Sequence, residues 1–277
     1  MSLLAEDHAD PTLAEARATT KRVARTFALA ARLLPREIRD DVYRLYLVFR
    51  TLDDLVDDGE PDALGRVVAV EGWCRGGAAR TPETRLLAGL DARHGLPRDA
   101  LLDFCAGMRH DLDGDLVLTE DDLETYCYRV AGTVGITMGA LLGTRPGIDA
   151  RPSAAALGKA MQRTNVLRDI DEDWENGRVY LARETLERFG FLDGAPPPPA
   201  AREELLREQI ARADALYEEG IAGISLLLSG RVAIRAAAAM YREILRQIER
   251  EGYGRRAGRI VVPRSRKILV AARSVNA

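Results

Sequence analysis

Cysteine is scarce in this chain of 277 residues: there are three, Cys74, Cys105 and Cys127, with no paired spacing and no histidine cluster near them. A disulfide frame and a zinc site are both excluded. The three read as small buried hydrophobes in a reducing, cytoplasmic setting. Histidine is as rare, and His8, His94 and His110 belong to no motif. No apolar run approaches the roughly 18 residues that a membrane-spanning helix needs. No signal peptide opens the chain, and residues 1–12 read as a frayed acidic tail. G-x-G-x-x-G and P-loop patterns are missing, as is any repeat of fixed period. The net charge of −3 gives no general attraction to nucleic acid or to an anionic membrane.

What the chain has in quantity is helical periodicity. Apolar residues make up 47% and charged residues 30%, ordinary for a globular protein. Helices are predicted over 12–33, 36–57, 61–78, 83–93, 98–113, 119–142, 153–175, 183–188, 202–228, 231–251 and 264–272, with breaks at Pro- and Gly-containing turns. Thr119 to Asp122 reads as a capping box. The proline run within 195–200 reads as a surface loop. It could divide domains, but both acidic motifs described next lie before it, so one all-α domain is the simpler reading.

Two stretches carry chemistry. In Met161 to Trp174, the residues Val166, Ile170 and Trp174 make one apolar stripe, while Gln162, Asn165, Asp169 and Asp173 share a neighbouring one. Asp169 and Asp173 then point the same way, one turn apart, and like charges so placed destabilise a helix by roughly 0.2–0.5 kcal/mol unless something neutralises them. In Arg50 to Asp58, Asp53 and Asp57 repeat the spacing. Upstream, Val42, Leu45, Tyr46 and Phe49 form a buried face that runs forward into these two acids. Buried unpaired carboxylates are costly, so they should be paired or hold metal. Two inward-facing acid pairs suit hard divalent ions, Mg²⁺ above all, with substrate phosphate oxygens and water completing the shell.

Between them, Tyr126 to Gly135 lies in a helix weakened by Gly132, Gly135 and Gly139. Small residues there permit close helix packing and leave a groove for a hydrocarbon. The two uses are compatible.

Taken together these motifs resemble the squalene/phytoene synthase family over about residues 20–270. Arg25-Thr26-Phe27 is similar to its basic-Ser-Phe element, and Tyr46 to Asp58 to its first aspartate-rich motif. Tyr126 to Gly135 is similar to its Tyr-Cys…Val-Ala-Gly-x-Val-Gly signature. Gln162 to Asp173 with Gly177 to Leu181 resembles the second aspartate-rich motif, and Arg259 to Pro263 with Lys267 the closing segment. Three departures stand out: Ala182 replaces a usual Pro, no Arg-Tyr pair follows Leu112, and Val23 occupies a position that is polar in some members.

The resemblance implies an isoprenoid synthase fold, a helical bundle around a central cavity. It implies Mg²⁺ and two prenyl diphosphates, farnesyl or geranylgeranyl, condensed head-to-head through a cyclopropylcarbinyl diphosphate to phytoene, squalene or a squalene precursor. A cyclase acting on one prenyl diphosphate, or a non-catalytic partner subunit, are the alternatives. NADPH is not among the expected cofactors. Asp53, Asp57, Asn165, Asp169 and Asp173 are the expected metal ligands. Arg25, Arg50, Arg168, Arg259, Gln162, Asn165 and Tyr241 are expected on substrate, and Tyr126 with the four aspartates in catalysis. Tyr43, Tyr46 and Tyr128 read as core, Trp73 and Trp174 as packing anchors, Arg163 and Arg178 as surface cations. Asp54, Asp58, Asp171 and Glu172 read as solvated or supporting. An apolar product suggests peripheral contact with a membrane. No oligomeric state follows.

Overall fold

The computed structural model describes residues 11–114, 116–191, 199–254 and 258–275, without the side chains at 11, 23, 25 and 199. The tail and the proline run therefore fall largely outside the described residues. Within them are thirteen α-helices and no strand; Thr144 and Leu227 form one isolated antiparallel bridge. The helices are α1 (Pro11–Val23), α2 (Arg25–Ala31), α3 (Arg36–Asp57), α4 (Ala63–Cys74), α5 (Pro82–His94), α6 (Arg98–Asp113), α7 (Glu120–Cys127), α8 (Thr133–Leu142), α9 (Arg151–Glu175), α10 (Arg183–Arg188), α11 (Pro199–Ala222), α12 (Arg231–Arg250) and α13 (Arg264–Val275). No described helix is long and apolar enough to cross a membrane.

Three predicted helices are interrupted. The 12–33 helix breaks at Ala24, whose φ of −113° and ψ of 58° leave the helical region. No Pro or Gly marks the break. Tertiary packing imposes it, because α1 lies on α3 while α2 lies on α12. The 119–142 helix contains a π-helical turn, Tyr128–Gly132, between α7 and α8. The 202–228 helix ends at Ala222 in a 3₁₀ turn, Gly223–Leu226. The expected capping box is present: Asp122 N donates to Thr119 Oγ1 at 3.1 Å, and Thr119 N to Asp122 Oδ2 at 2.9 Å.

Two large apolar clusters form the core. One gathers α3, α4, α5 and α6 around Leu45, Leu52, Leu87, Leu101 and Met108. The other gathers α7, α9, α10, α11 and α12 around Leu123, Leu167, Leu205, Tyr217 and Leu245. Val130, Ile221 and Ile234 pack against both. The long helices α3 and α9 therefore belong to opposite halves. Trp73 and Tyr43 are buried and Trp174 is partly so, in line with packing roles; all three cysteines are buried and free.

Arg163 departs from its expected surface position. Its side chain is 4% exposed and donates to Glu120, Glu124 and Gln209. Glu120 also accepts from Thr185 Oγ1 at 2.6 Å, so one network clamps α7, α9, α10 and α11. Removing Arg163 would strand the largely buried carboxylate of Glu120, a loss of about 3–5 kcal/mol.

Candidate active site

Between the two halves lies a cavity of about 1020 Å³, at the upper end of the range that holds a drug-sized ligand. Its walls divide by chemistry. Val130, Val134, Met138, Leu142, Phe104 and Leu227 are among the apolar lining. The polar end receives Asp53 and Asp57 from α3 and Asp169 and Asp173 from α9. Arg50, Arg168, Arg259, Gln162, Asn165, Tyr126 and Tyr241 line the same cavity. Every expected site residue is thus on this wall except Arg25, whose side chain lies outside the description.

Each acid pair is held by one nearby and one distant arginine. On α3, Arg50 Nη1 contacts Asp53 Oδ2 at 2.8 Å, and its other terminal nitrogen contacts Asp54. Asp57 Oδ1 meets Arg178 Nη1 at 2.9 Å from 121 residues away. On α9, Arg168 Nε donates to Asp169 Oδ1 at 2.8 Å, and Arg259 Nε reaches the same oxygen at 3.1 Å. Arg178 arrives because Gly177, at φ +73°, caps α9 in the left-handed region, which favours glycine. Arg178 N then donates to Asp173 O at 2.8 Å, and the side chain turns back toward α3. Arg178 is therefore at the surface, 46% exposed, yet it partners the first motif.

The electrostatics are those of crowded carboxylates. Burial, reinforced by Asp57, pushes Asp53 up to about 6 against the pull of Arg50. Burial, with Asp169 and Glu172, pushes Asp173 to about 6. Asn165 Oδ1 is buried with no donor, while its amide nitrogen donates to Gln162 Oε1 at 3.3 Å. Among the described residues no three acidic, His or Cys side chains already form a metal cage, because arginines occupy much of the carboxylate oxygen. An orphaned oxygen beside acids that resist ionising is nonetheless the donor set a hard cation fits.

Several residues at this end are additions to the sequence reading. Asp111, on α6, is pushed up to about 7 by burial and by Asp57 and Asp53. Tyr126 OH donates to it at 3.5 Å, a long contact. The signal for Asp111 was available: Phe104, Met108 and Asp111 continue one buried stripe, as in α3. Tyr180 stacks on Tyr126 with centroids 5.5 Å apart, and the His110 ring lies at the same distance from Tyr126. Burial raises the Tyr126 phenol well above its usual range, so it stays protonated. Tyr46, expected in the core, lines the cavity instead and stacks on Phe27 at 5.1 Å. Tyr128, also expected in the core, is partly exposed and donates to Asp103 at 3.0 Å. Glu172 lines the cavity and meets Arg259 Nη1 at 3.3 Å. Asp171 faces away, toward Arg202 at 2.6 Å.

The glycines serve both expected purposes. A methyl group on Gly135 would strike the carbonyl oxygen of Ala154, and one on Gly158 that of Ala131. At Gly139 the nearest atom would be 3.9 Å away. Gly135 and Gly158 therefore set the approach of α8 and the π turn to α9, and Gly139 leaves cavity space.

An all-helical bundle with paired acids at one end of an apolar cavity defines the isoprenoid synthase class. The squalene/phytoene synthase family model matches residues 20–266, and the chain belongs to that family of prenyltransferases. It is 40% identical over 242 residues to a phytoene synthase of Thermus thermophilus, covering 84% of this chain and 82% of that protein. It is 35% identical over 276 residues to a 15-cis-phytoene synthase of Synechocystis, covering 91% and 81%. A crystal structure of a dehydrosqualene synthase with ligand superposes at a TM-score of 0.87, with 30% identity over 96% of each chain. A squalene synthase from Alicyclobacillus acidocaldarius gives 0.72 with 27% identity, covering 88% of this chain and 95% of that one.

Proposed function

We propose that the chain, as one domain, condenses two prenyl diphosphates head-to-head, with geranylgeranyl diphosphate as substrate and a phytoene-type hydrocarbon as product. The observation that carries this reading is that one cavity is lined both by acids and arginines and by a large set of apolar side chains. The phytoene synthase relatives favour the longer substrate.

In this reading Asp53, Asp57, Asn165, Asp169 and Asp173 hold Mg²⁺. When bound, Mg²⁺ offsets the charge of the diphosphate leaving group. Arg50, Arg168 and Arg259 grip diphosphate oxygens in a two-pronged fashion that Lys cannot match, and Arg178 exchanges its contact with Asp57 for substrate. Gln162 orients Asn165. Tyr126, held neutral, presents a phenol to the departing diphosphate, and the rings of Tyr46 and Tyr241 face the cationic hydrocarbon. The apolar walls keep water from the allylic cation. The double bond of the second substrate attacks that cation, and the adduct loses a proton to the released diphosphate as the ring closes to a cyclopropylcarbinyl diphosphate. This ionises in turn, releasing the second diphosphate, and the rearranged cation loses a second proton to give the neutral hydrocarbon. The hydrocarbon product, with no polar handle, leaves toward a membrane surface.

Incubation of purified protein with Mg²⁺ and geranylgeranyl or farnesyl diphosphate tests this. A product of doubled carbon number from the longer substrate is expected. An unchanged carbon number would move the chain to the single-substrate cyclases, and no diphosphate release would overturn the enzymatic reading.

A further inference from the structure

Helix α13 buries no residue fully, although it packs along α12. Its inner side, Val270 and Ala271, rests on the small cluster of Ala30, Ala236, Ala237 and Met240. Its outer side is also apolar. Ile268 is 50% exposed, Leu269 40% and Val275 39%, and Val261, just upstream, is 66% exposed. Arg264, Ile268, Ala272 and Val275 follow one another at helical steps of four, four and three, with Leu269 and Arg273 on the adjoining line. A soluble surface helix normally gives its outer side to polar residues.

Charge says what covers this face. From 252 to 277 the chain has seven Arg and Lys and no Asp or Glu, within a protein of net charge −3. On α13, Arg266 is matched by Glu243 at 2.7 Å, and Lys267 donates to Thr26 Oγ1 at 2.8 Å. Neither Arg264 nor Arg273 has an acidic partner among the described residues. Exposed aliphatic side chains between cations are the pattern of a helix lying in the plane of a charged membrane. We infer that the outer face of α13 docks on an anionic lipid bilayer, with Ile268, Leu269 and Val275 in the interface and Arg264 and Arg273 among the headgroups.

The position suits the cavity. Lys267 binds Thr26, the neighbour of Phe27, and Phe27, Arg22 and Arg259 all line the cavity. Docking through α13 would set this part of the cavity wall beside the headgroups. That purpose rests on the proposed function; the docking itself does not.

Vesicle flotation with the full chain, in the absence of substrate, tests the inference. The protein should float with phosphatidylcholine vesicles containing phosphatidylglycerol, not with phosphatidylcholine alone, and high salt should release it. Arg264→Gln with Arg273→Gln should weaken partitioning about thirtyfold. Ile268→Ser with Leu269→Ser should weaken it about tenfold or more. Both double variants should keep the wild-type melting temperature and turnover of detergent-dispersed substrate. Failure of the wild type to float, or flotation indifferent to both doubles, overturns the inference. So does a solution dimer that the serine double splits, which would seat a second copy on this face. If the serine double does not fold, the arginine double decides. Should the protein float as stated yet turn over no prenyl diphosphate, the docking stands and the proposed function falls.

Discussion

The two acid-bearing helices are packed by different means. Helix α3 is held by large side chains: Val42, Leu45, Val48, Phe49 and Leu52 are all buried. Helix α9 is held by buried side chains such as Leu167 and Arg163 and, in addition, by close approaches at glycine. Gly158 abuts Ala131, Gly135 abuts Ala154, Gly220 abuts Leu157, and Gly223 abuts Ser153. The acids follow suit. The side chain of Asp57 is 42% exposed, while that of Asp169 is 15% exposed between Arg168 and Arg259. A helix wedged backbone to backbone cannot shift without collision, whereas one held by side chains can settle by repacking. Helix α9 is thus the fixed half of the site and α3 the adaptable half.

The widest test removes charge from each half in turn. Asp169→Asn and Asp53→Asn should each lower diphosphate release by roughly a thousandfold, the scale of losing a principal electrostatic contact in the transition state. Release assayed with Mg²⁺ and geranylgeranyl diphosphate checks this. If either variant kept near-normal release, the sharing of one substrate by both pairs would be broken.

Packing separates the halves more finely. Gly158→Ala should cost about 3 kcal/mol, and the displaced helix should carry Asp169 and Asp173 out of register. Leu45→Ala should cost a similar 2–5 kcal/mol through its cavity, with activity per folded molecule largely kept. Thermal unfolding combined with specific activity reads both. Equal loss of specific activity would erase the distinction between a fixed and an adaptable helix.

Next in size come the two distant arginines. Arg178→Ala and Arg259→Ala each delete charge-assisted hydrogen bonds worth about 1.5–3 kcal/mol, or about 10–100-fold in kcat/KM. Arg178 serves the adaptable half, so Arg178→Lys should recover more activity than Arg259→Lys, whose forked contact spans Asp169 and Glu172. Steady-state kinetics on the four variants rank them.

This local-versus-distant division also marks what the sequence made legible. Asp53 with Asp57 and Asp169 with Asp173 follow from a four-residue step, and their nearest arginines, Arg50 and Arg168, lie within a turn. The all-α fold followed from periodicity. Arg178 did not: its meeting with Asp57 depends on the reversal at Gly177 and on two helices far apart in sequence. The break at Ala24 and the π turn at Tyr128–Gly132 were equally hidden, since both come from tertiary fit and neither has a Pro to announce it. Tyr46 was placed in the core because its stripe is apolar; the stripe is right, but at that point the core opens into the cavity. Asp111 lay within reach of the rule that found Asp53, applied to a third helix.

The smallest expected effect concerns pH. Asp53 and Asp173 stand at about 6 and Asp111 at about 7, against an ordinary 3.8. A carboxyl whose folded value is raised binds its proton more tightly in the native state than in the unfolded one. It therefore adds stability below about 4, and that stability fades as pH rises through 6 to 7. Metal-free protein should melt at a lower temperature at pH 8 than at pH 5.5, all else equal. Asp111→Asn should flatten the slope, since the amide is neutral throughout. Adding Mg²⁺ should oppose it, because a cation binds the ionised acids and binding strengthens as pH rises. Both halves contribute a titrating acid, Asp53 on α3 and Asp173 on α9. Asp53→Asn and Asp173→Asn should each remove part of the slope, and a slope carried by one of them alone would show that only one half senses the crowding.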